Sequence, residues 1–128
     1  MKFPENLKYT SDHEWVNVNG AKAAVGITDY AQGELGDIIY VDITVGEGDT
    51  VNQGDVLGTI EAVKTVSEIF SPISGTITGV NGGINDRPSI VNQVPYGEDS
   101  WLIQIEPNNQ DEISNLMDAT SYQESVGL

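Results

Sequence analysis

The sequence predicts a mainly β protein, built as a sandwich or barrel of short strands. Fourteen glycines and five prolines divide the chain into short runs with tight turns between them. Several runs are rich in β-branched residues or alternate apolar and polar residues, as half-buried strands do. At 128 residues the chain has the length of one domain. Many short strands joined by tight turns are typical of the all-β architectures.

Six predicted strands account for most of the expected core. They cover residues 23–27, 38–45, 56–61, 68–70, 75–80 and 101–106. Turn clusters such as Asn19-Gly20 and Asn81-Gly82-Gly83 separate the runs. We expect the core of the domain to extend over about residues 7–106.

Two helices interrupt this pattern. The first is short, is capped by Thr28 or Asp29 and ends near Gly36. The second is predicted over about residues 109–124, because acidic residues near its start suit a helix N-terminus. Apolar residues recur along it at helical spacing and indicate a face that packs on its own domain: Ile113, Leu116, Met117 and Tyr122.

Composition excludes several classes of function. Twenty Asp and Glu residues against five Lys and Arg residues give a net charge of −15. Such a surface repels phosphate backbones and anionic membranes, so we expect no nucleic-acid or membrane partner. It favours partners with basic docking faces, although an acidic surface also serves solubility alone. The chain contains no cysteine, which excludes disulfides, thiolate metal sites and a cysteine nucleophile.

The start of the sequence lacks the features of a targeting segment. It has neither the apolar run of a secretory signal nor the Arg- and Ser-rich character of a transit peptide. No apolar stretch approaches the roughly 20 residues that a bilayer-spanning helix needs. We therefore expect a cytoplasmic protein. We also expect it to be a monomer.

A faint internal repeat relates two parts of the chain. The run Gly36-Asp37-Ile38-Ile39-Tyr40-Val41 resembles Gly75-Thr76-Ile77-Thr78-Gly79-Val80, and Val51-Asn52-Gln53 recurs as Val91-Asn92-Gln93. A gapped match of this length is as consistent with chance as with duplication. If the repeat is real, residues 56–74 link two similar β halves.

Lys64 lies in this link. It sits between Val63 and Thr65, with apolar or β-branched residues for several positions on each side, and no other basic residue occurs between Lys22 and Arg87. Strand-forming residues on both sides predict a β-hairpin with Lys64 at its tip, where a modifying enzyme can reach the ammonium. Local context alone favours an ordinary solubilising lysine, which is the commoner role.

The surrounding motifs reverse that interpretation. The stretch Glu61-Ala62-Val63-Lys64-Thr65-Val66-Ser67-Glu68, followed by Ser71-Pro72-Ile73-Ser74-Gly75, resembles the lipoylation segment of glycine cleavage H-proteins. That family typically shows Glu-Ser-Val-Lys and then Ser-Pro-Val/Ile-Ser-Gly. Other segments resemble the family in the same order: His13-Glu14-Trp15-Val16, Gly26-Ile27-Thr28-Asp29-Tyr30-Ala31-Gln32, Leu35-Gly36-Asp37-Ile38, Val91-Asn92, Pro95-Tyr96-Gly97, Trp101-Leu102-Ile103 and Leu116-Met117-Asp118-Ala119. The matches extend from about Leu7 to Tyr122.

The resemblance implies a fold and a function. The fold is the barrel-sandwich hybrid of lipoyl domains, with residues 1–128 as a single lipoyl-carrier domain. Lipoic acid would be attached covalently to Lys64. The arm would carry the aminomethyl group of glycine from the glycine decarboxylase (P-protein) to the aminomethyltransferase (T-protein), and dihydrolipoyl dehydrogenase (L-protein) would reoxidise it. A lipoyl-attaching enzyme is a further partner, and the chain itself is a non-catalytic carrier subunit.

The resemblance also implies a cleft for the loaded arm. The positions that match the family's cleft are Asp12, Glu14 and Glu68, whose carboxylates would hold a cationic aminomethyl group by charge-assisted hydrogen bonds. They are equally well explained as three surface acids among twenty. Two features depart from the family. Ala62 stands where serine is common, and the loop 82–88 differs from the usual acidic version, which could alter a partner contact.

Three alternatives compete with the aminomethyl carrier. A biotinyl carrier has the same fold but favours methionine on both sides of the lysine, where this chain has Val63 and Thr65. A donor that relays lipoyl groups to 2-oxoacid dehydrogenases needs the same Lys64. An enzyme is the least favoured, because the single histidine, His13, has no accompanying nucleophile and cannot form a metal site alone. We expect His13 to be structural and packed near Trp15.

Overall fold

Two antiparallel sheets enclose a shared core. The computed structural model describes every residue from Met1 to Leu128. Nine strands run in chain order as β1 (Lys8–Tyr9), β2 (Glu14–Asn19), β3 (Lys22–Ile27), β4 (Ile38–Ile43), β5 (Thr50–Val51), β6 (Val56–Ala62), β7 (Val66–Phe70), β8 (Gly75–Val80) and β9 (Ile103–Pro107). One sheet has six strands in the order β1-β2-β3-β9-β8-β5, and the other has three in the order β4-β6-β7. A cluster of 17 buried apolar residues draws on both sheets.

The mainly β sandwich and its six predicted strands are confirmed, each within a few residues of its predicted bounds. Three strands were missed. β1 and β5 have two residues each, which is too short to show a pattern. β2 buries Glu14, Trp15 and Val16 in succession, so the first half of this strand does not alternate as a strand with one buried face does.

The first predicted helix is confirmed as α1 (Asp29–Leu35). The Thr28 side chain accepts a hydrogen bond from the Ala31 N–H at 3.1 Å, which satisfies one of the free donors of the first turn. Gly36 ends the helix with a φ of +80°, a backbone conformation that residues with a Cβ rarely adopt. Local capping chemistry therefore determines both ends.

The prediction of one continuous helix over about residues 109–124 is wrong. The structure has two helices, α3 (Gln110–Ser114) and α4 (Ala119–Ser125). Between them Met117 forms an antiparallel bridge with Tyr9, with reciprocal backbone hydrogen bonds of 2.8 and 2.9 Å. This bridge extends the backbone, and Asp118 then caps α4 by accepting from the Ser121 N–H at 2.8 Å. The apolar face does pack on the domain, as expected.

Two asparagines cover the outer edge of β4. Asn85 accepts from the Val41 N–H at 2.8 Å and donates to the Val41 carbonyl at 2.7 Å, as a neighbouring strand would. Asn92, in the short helix α2 (Ile90–Gln93), accepts from the Ile38 N–H at 2.9 Å. The atypical loop 82–88 contains a 3-10 turn, Ile84–Asp86, that presents Asn85. In this chain the loop therefore protects a sheet edge.

The two segments of the suggested repeat differ in local structure. The first pair of matching runs forms strands β4 and β8, which lie in different sheets. In the second pair, Val51 ends a strand whereas Val91 lies in α2.

None of the four α-helices is long and apolar enough to span a membrane.

Two glycines, Gly58 of β6 and Gly33 of α1, allow a stability test with an internal control. A Cβ built on Gly58 of β6 would lie 2.0 Å from the Asp42 carbonyl oxygen, so the neighbouring strand would have to move. We expect Gly58→Ala to lower the free energy of unfolding by roughly 2–3 kcal/mol. Gly33 lies within α1 with no neighbouring atom inside 4 Å of such a Cβ. Gly33→Ala should therefore raise the free energy of unfolding by about 0.5–1 kcal/mol. Urea titrations of both variants test this, and equal effects would contradict the strand register.

Candidate functional site

Lys64 lies at the tip of the β6–β7 hairpin, where the sequence predicts it. The two strands pair as far as Glu61 opposite Val66, and the Ala62 N–H donates to the Thr65 carbonyl at 2.8 Å to close the turn. The residues of the tip are exposed, and Val63 is 72 % exposed. Lys64 is therefore open to a large modifying enzyme.

The tip of the hairpin is anchored to the end of α1. The Val63 N–H donates to the Asp37 carbonyl at 2.9 Å. The stem of Lys64 crosses Gly36, because a Cβ placed on that glycine would lie 3.1 Å from Lys64 Cε and 3.6 Å from Nζ. The missing side chain at Gly36 leaves space in which the lysine stem lies.

A cavity of about 110 Å³ opens between the hairpin, α1 and the turn before β2. Its apolar wall is formed by Ile27, Ala31, Leu35, Ile60 and Ile69. The remaining lining residues are polar or charged: Asp12, His13, Glu14, Glu34, Ser67 and Glu68. The three acids predicted for a cleft thus line a single cavity. Leu35, which lines the cavity, directly precedes the glycine that the Lys64 stem crosses.

Glu34 is a fourth acid at this cavity, and the sequence analysis missed it. It lies in the last turn of α1, one residue before Leu35. Its place follows from the predicted helix, because residues three apart share a helix face and Ala31 also lines the cavity. The sequence does not show in which direction this face of the helix points.

Glu14 is the buried acid of the site, with only 2 % of its surface exposed. Its carboxylate accepts from the Thr10 hydroxyl at 2.8 Å and from the Phe70 N–H at 3.2 Å. Burial raises the pKa of Glu14 to about 7, and the nearby charge of Asp12 acts in the same direction, whereas both hydrogen bonds oppose the shift. The other three acids are exposed and surround the cavity: Asp12, Glu34 and Glu68.

His13 belongs to the wall of the cavity. Its ring packs against Tyr30 and Tyr122, with centroid distances of 4.9 and 5.8 Å, and Nδ1 lies 2.8 Å from the Tyr122 hydroxyl. Burial lowers the pKa of His13, although Asp12 and Glu34 oppose the shift. The expected packing near Trp15 is wrong, because the aromatic partner of Trp15 is Tyr96 and its indole N–H donates to the Pro95 carbonyl.

Neither the other cavity that contains these acids nor a metal-binding cluster involves the hairpin that carries Lys64. A larger and more open cavity of about 440 Å³ also contains Asp12 and Glu14, but no residue of α1 or of the hairpin strands lines it. No group of three or more His, Cys, Asp or Glu side chains is arranged to hold a metal ion. Of these two cavities, the smaller one is the one lined by residues of α1 and of the hairpin strands.

Comparison with known proteins identifies the family of the chain. The family model described as Glycine cleavage H-protein matches residues 7–127. The chain is 49 % identical over 126 residues to the glycine cleavage system H protein of Bacteroides fragilis and 46 % identical over 126 residues to that of Brevibacillus brevis, with 98 % of both chains covered in each case. The crystal structure of a glycine cleavage system H protein from Mycobacterium marinum superposes with a TM-score of 0.87 at 36 % identity, covering 98 % of this chain and 99 % of that one.

The two-sheet sandwich and its exposed hairpin lysine define a carrier domain of the lipoyl type. Within that class, the chain belongs to the glycine cleavage H-protein family, the lipoyl carrier of the glycine cleavage system. Proteins of this family carry lipoate on a lysine. The family favours this role over the biotinyl carrier and the lipoyl relay considered from the sequence.

The raised pKa of Glu14 predicts a specific pH dependence of stability. Because the ordinary pKa is 4.5 and the folded value is about 7, the folded protein binds more protons between these pH values. Stability therefore falls as pH rises through this window. Glu14→Gln cannot ionise; its amide oxygen can accept from the Phe70 N–H while its NH2 donates to the Thr10 hydroxyl oxygen. Its stability relative to the wild type should rise by up to ~3 kcal/mol between pH 4.5 and pH 8.

Urea unfolding at several pH values measures this difference. The lowered pKa of His13 gives a slope of opposite sign, since a neutral folded histidine loses stability as pH falls. That slope cancels because both proteins contain His13. Glu47→Gln, at an exposed carboxyl in a turn, serves as the control. If both substitutions give the same pH-independent difference, Glu14 does not carry the buried charge.

Proposed function

We propose that Lys64 is the lipoyl attachment site and that the chain carries the aminomethyl group of glycine between the P- and T-proteins. The observation that carries the proposal is the position of this lysine, alone at an exposed hairpin tip whose sequence matches the family's lipoylation segment. The stem of Lys64 already lies toward α1, whose residues form one wall of the cavity. An arm on this lysine therefore starts beside the cleft.

The residues around the cleft fit a short cationic cargo on an apolar arm. Apolar side chains on α1, β6 and β7 offer a dry wall for the arm: Ala31, Leu35, Ile60 and Ile69. Exposed carboxylates stand around it, so a cationic amine would find partners for charge-assisted hydrogen bonds there. The donor set has no histidine or cysteine pair that would favour a metal ion instead.

When attached, the lipoyl group supplies the dithiolane that accepts and releases the cargo. The chain supplies orientation and shelter. Asp12, Glu34 and Glu68 attract the amine, and the apolar wall excludes water from the carbon next to it. Glu14 accepts two hydrogen bonds and holds the turn that carries Asp12, so its role is to keep the acids in place.

The chemistry itself is assigned to the partners. His13 Nδ1 forms a hydrogen bond with the Tyr122 hydroxyl, and the chain has no cysteine that could act as a nucleophile. We infer that the chain is a non-catalytic subunit that meets four enzymes in turn: the P-protein, the T-protein, the L-protein and a lipoyl-attaching enzyme. Its net charge of −15 favours basic docking faces on them, and it makes their association fast and sensitive to salt.

Replacing Lys64 tests the attachment site directly. Lys64→Ala should contain no lipoyl adduct by intact-mass analysis after expression in lipoate-competent cells. Glycine-dependent CO₂ release in a system reconstituted with the P-, T- and L-proteins should vanish. Lys22→Ala is the matched control, because Lys22 is also exposed and also flanks a hairpin turn. Retained adduct or activity in Lys64→Ala would overturn the proposal, as would an equal loss in Lys22→Ala.

The cleft is tested by the lifetime of the cargo. Glu68→Gln should speed hydrolytic loss of the aminomethyl group from the loaded protein by about two- to fivefold, because one exposed charge partner is removed. Glu61→Gln is a control on the same hairpin, since Glu61 is exposed but does not line the cavity. Ammonia release from loaded protein in the absence of T-protein gives both rates. An unchanged rate in Glu68→Gln contradicts a sheltering role for this acid.

A further inference from the structure

The hydroxyl of Tyr122 occupies an unusual place beside the cleft. The residue lies in α4, near the end of the chain, and is fully buried. Its oxygen lies 2.8 Å from His13 Nδ1 and 2.8 Å from Thr28 Oγ1. These partners are 109 and 94 residues away in the sequence. A single buried hydroxyl thus joins three distant segments of the chain.

On one side the hydroxyl holds the start of α1. Thr28 is the N-cap of this helix and is fully buried. Its oxygen accepts from the Ala31 N–H at 3.1 Å while also contacting Tyr122. Ala31 and Glu34 of the same helix line the cleft. The position of α1, which forms one wall of the cleft, therefore depends on its N-cap Thr28, which Tyr122 of α4 holds in place.

On the other side the hydroxyl holds the turn before β2. His13 has a φ of +68° and is the only residue other than glycine with a positive φ. Such a conformation costs free energy, so surrounding contacts must hold it in place. The neighbours of His13 in sequence are Asp12 and Glu14, which both line the cleft. Anchoring the imidazole therefore fixes the turn that carries two of the acids.

The ring of Tyr122 is held independently of its hydroxyl. It stacks on Tyr9 with a centroid distance of 4.8 Å and an interplanar angle of 6°, and Phe3 packs against it at 5.9 Å. Replacing tyrosine with phenylalanine should keep these contacts. The substitution thus removes the bridge between the cleft walls and leaves the ring packing in place.

From this geometry we propose that Tyr122 is a positioning residue of the cleft, whose hydroxyl sets the spacing between the Asp12–Glu14 turn and the Glu34 helix. The C-terminal helix α4 is then part of the site although it does not line it. The proposal rests on the proposed function only for the statement that the cleft shelters the cargo. The bridge itself exists in the unmodified chain.

The experiment compares Tyr122→Phe with Tyr9→Phe. Tyr9 is equally buried, but its hydroxyl donates to the Pro4 carbonyl at 2.6 Å and not to a wall of the cleft. Because the chain has one histidine, a nitrogen-15 spectrum of the imidazole reports on His13 alone. Tyr122→Phe should shift the Nδ1 signal and speed amide exchange at Ala31 by about fivefold, as expected for loss of one neutral hydrogen bond. Tyr9→Phe should leave both signals unchanged.

The loaded protein provides the second measurement. Tyr122→Phe should release the aminomethyl group several-fold faster than Tyr9→Phe when the two are compared at equal thermal stability. If the two variants match in imidazole shift, Ala31 exchange and release rate, the positioning role is wrong. If Glu68→Gln also leaves the release rate unchanged, the sheltering function fails, and the imidazole and exchange data alone decide on the bridge.

A second pair of variants covers the case in which Tyr122→Phe does not fold. Thr28→Ser keeps a hydroxyl that caps α1 and contacts Tyr122, so it should resemble the wild type in the His13 signal. Thr28→Val removes that hydroxyl and should shift the signal and speed Ala31 exchange. If the serine and valine variants give the same His13 signal and the same Ala31 exchange rate, the proposal is overturned from the Thr28 end of the bridge.

Discussion

The site depends on the burial of one carboxylate where the two sheets meet. Glu14 belongs to β2 of the six-stranded sheet and accepts a hydrogen bond from Phe70 of β7 in the three-stranded sheet. An ionised carboxyl at 2 % exposure is costly, and its hydrogen bonds offset only part of that cost. At this end of the sandwich a polar contact therefore joins the two sheets beside their apolar core. A cavity lined by both acids and aliphatic residues results.

The charge distribution makes the electrostatic potential of that cavity negative. Twenty acidic residues outnumber five basic ones, and four of the acids line the cleft. In the proposed function, attachment of a lipoyl group would convert the Lys64 ammonium to a neutral amide and so remove a positive charge. The potential at the cleft would then be more negative when the cationic cargo arrives. Modification and cargo binding would be coupled in this way through electrostatics.

Features with local causes were predictable from the sequence. Thr28 and Gly36 bound α1 through capping and a positive φ, which are properties of the residues themselves. The hairpin that presents Lys64 follows from strand-forming residues on both sides of a short turn. The acids Asp12, Glu14 and Glu68 came from the family resemblance, since their spacing in sequence does not show that they share a cavity.

Features with distant causes were not predictable. The break between α3 and α4 depends on a bridge between Met117 and Tyr9, more than a hundred residues away in the sequence. The place of His13 depends on Tyr122, which comes from the opposite end of the chain. Glu34 was missed because a helix pattern identifies a face but not the element that it faces. These features all depend on long-range contacts that bring distant parts of the chain together.

In the proposed function, the cargo rests in the cleft beside the hairpin and not in free solution. The most direct measurement loads the lipoylated protein with glycine labelled with carbon-13 at its methylene carbon and records nuclear Overhauser effects from the transferred methylene. A cargo held in the cleft should show contacts to methyl groups of the apolar wall, in particular Leu35 and Ile69. A sharp methylene signal with no such contacts, typical of an arm moving freely in water, would contradict it.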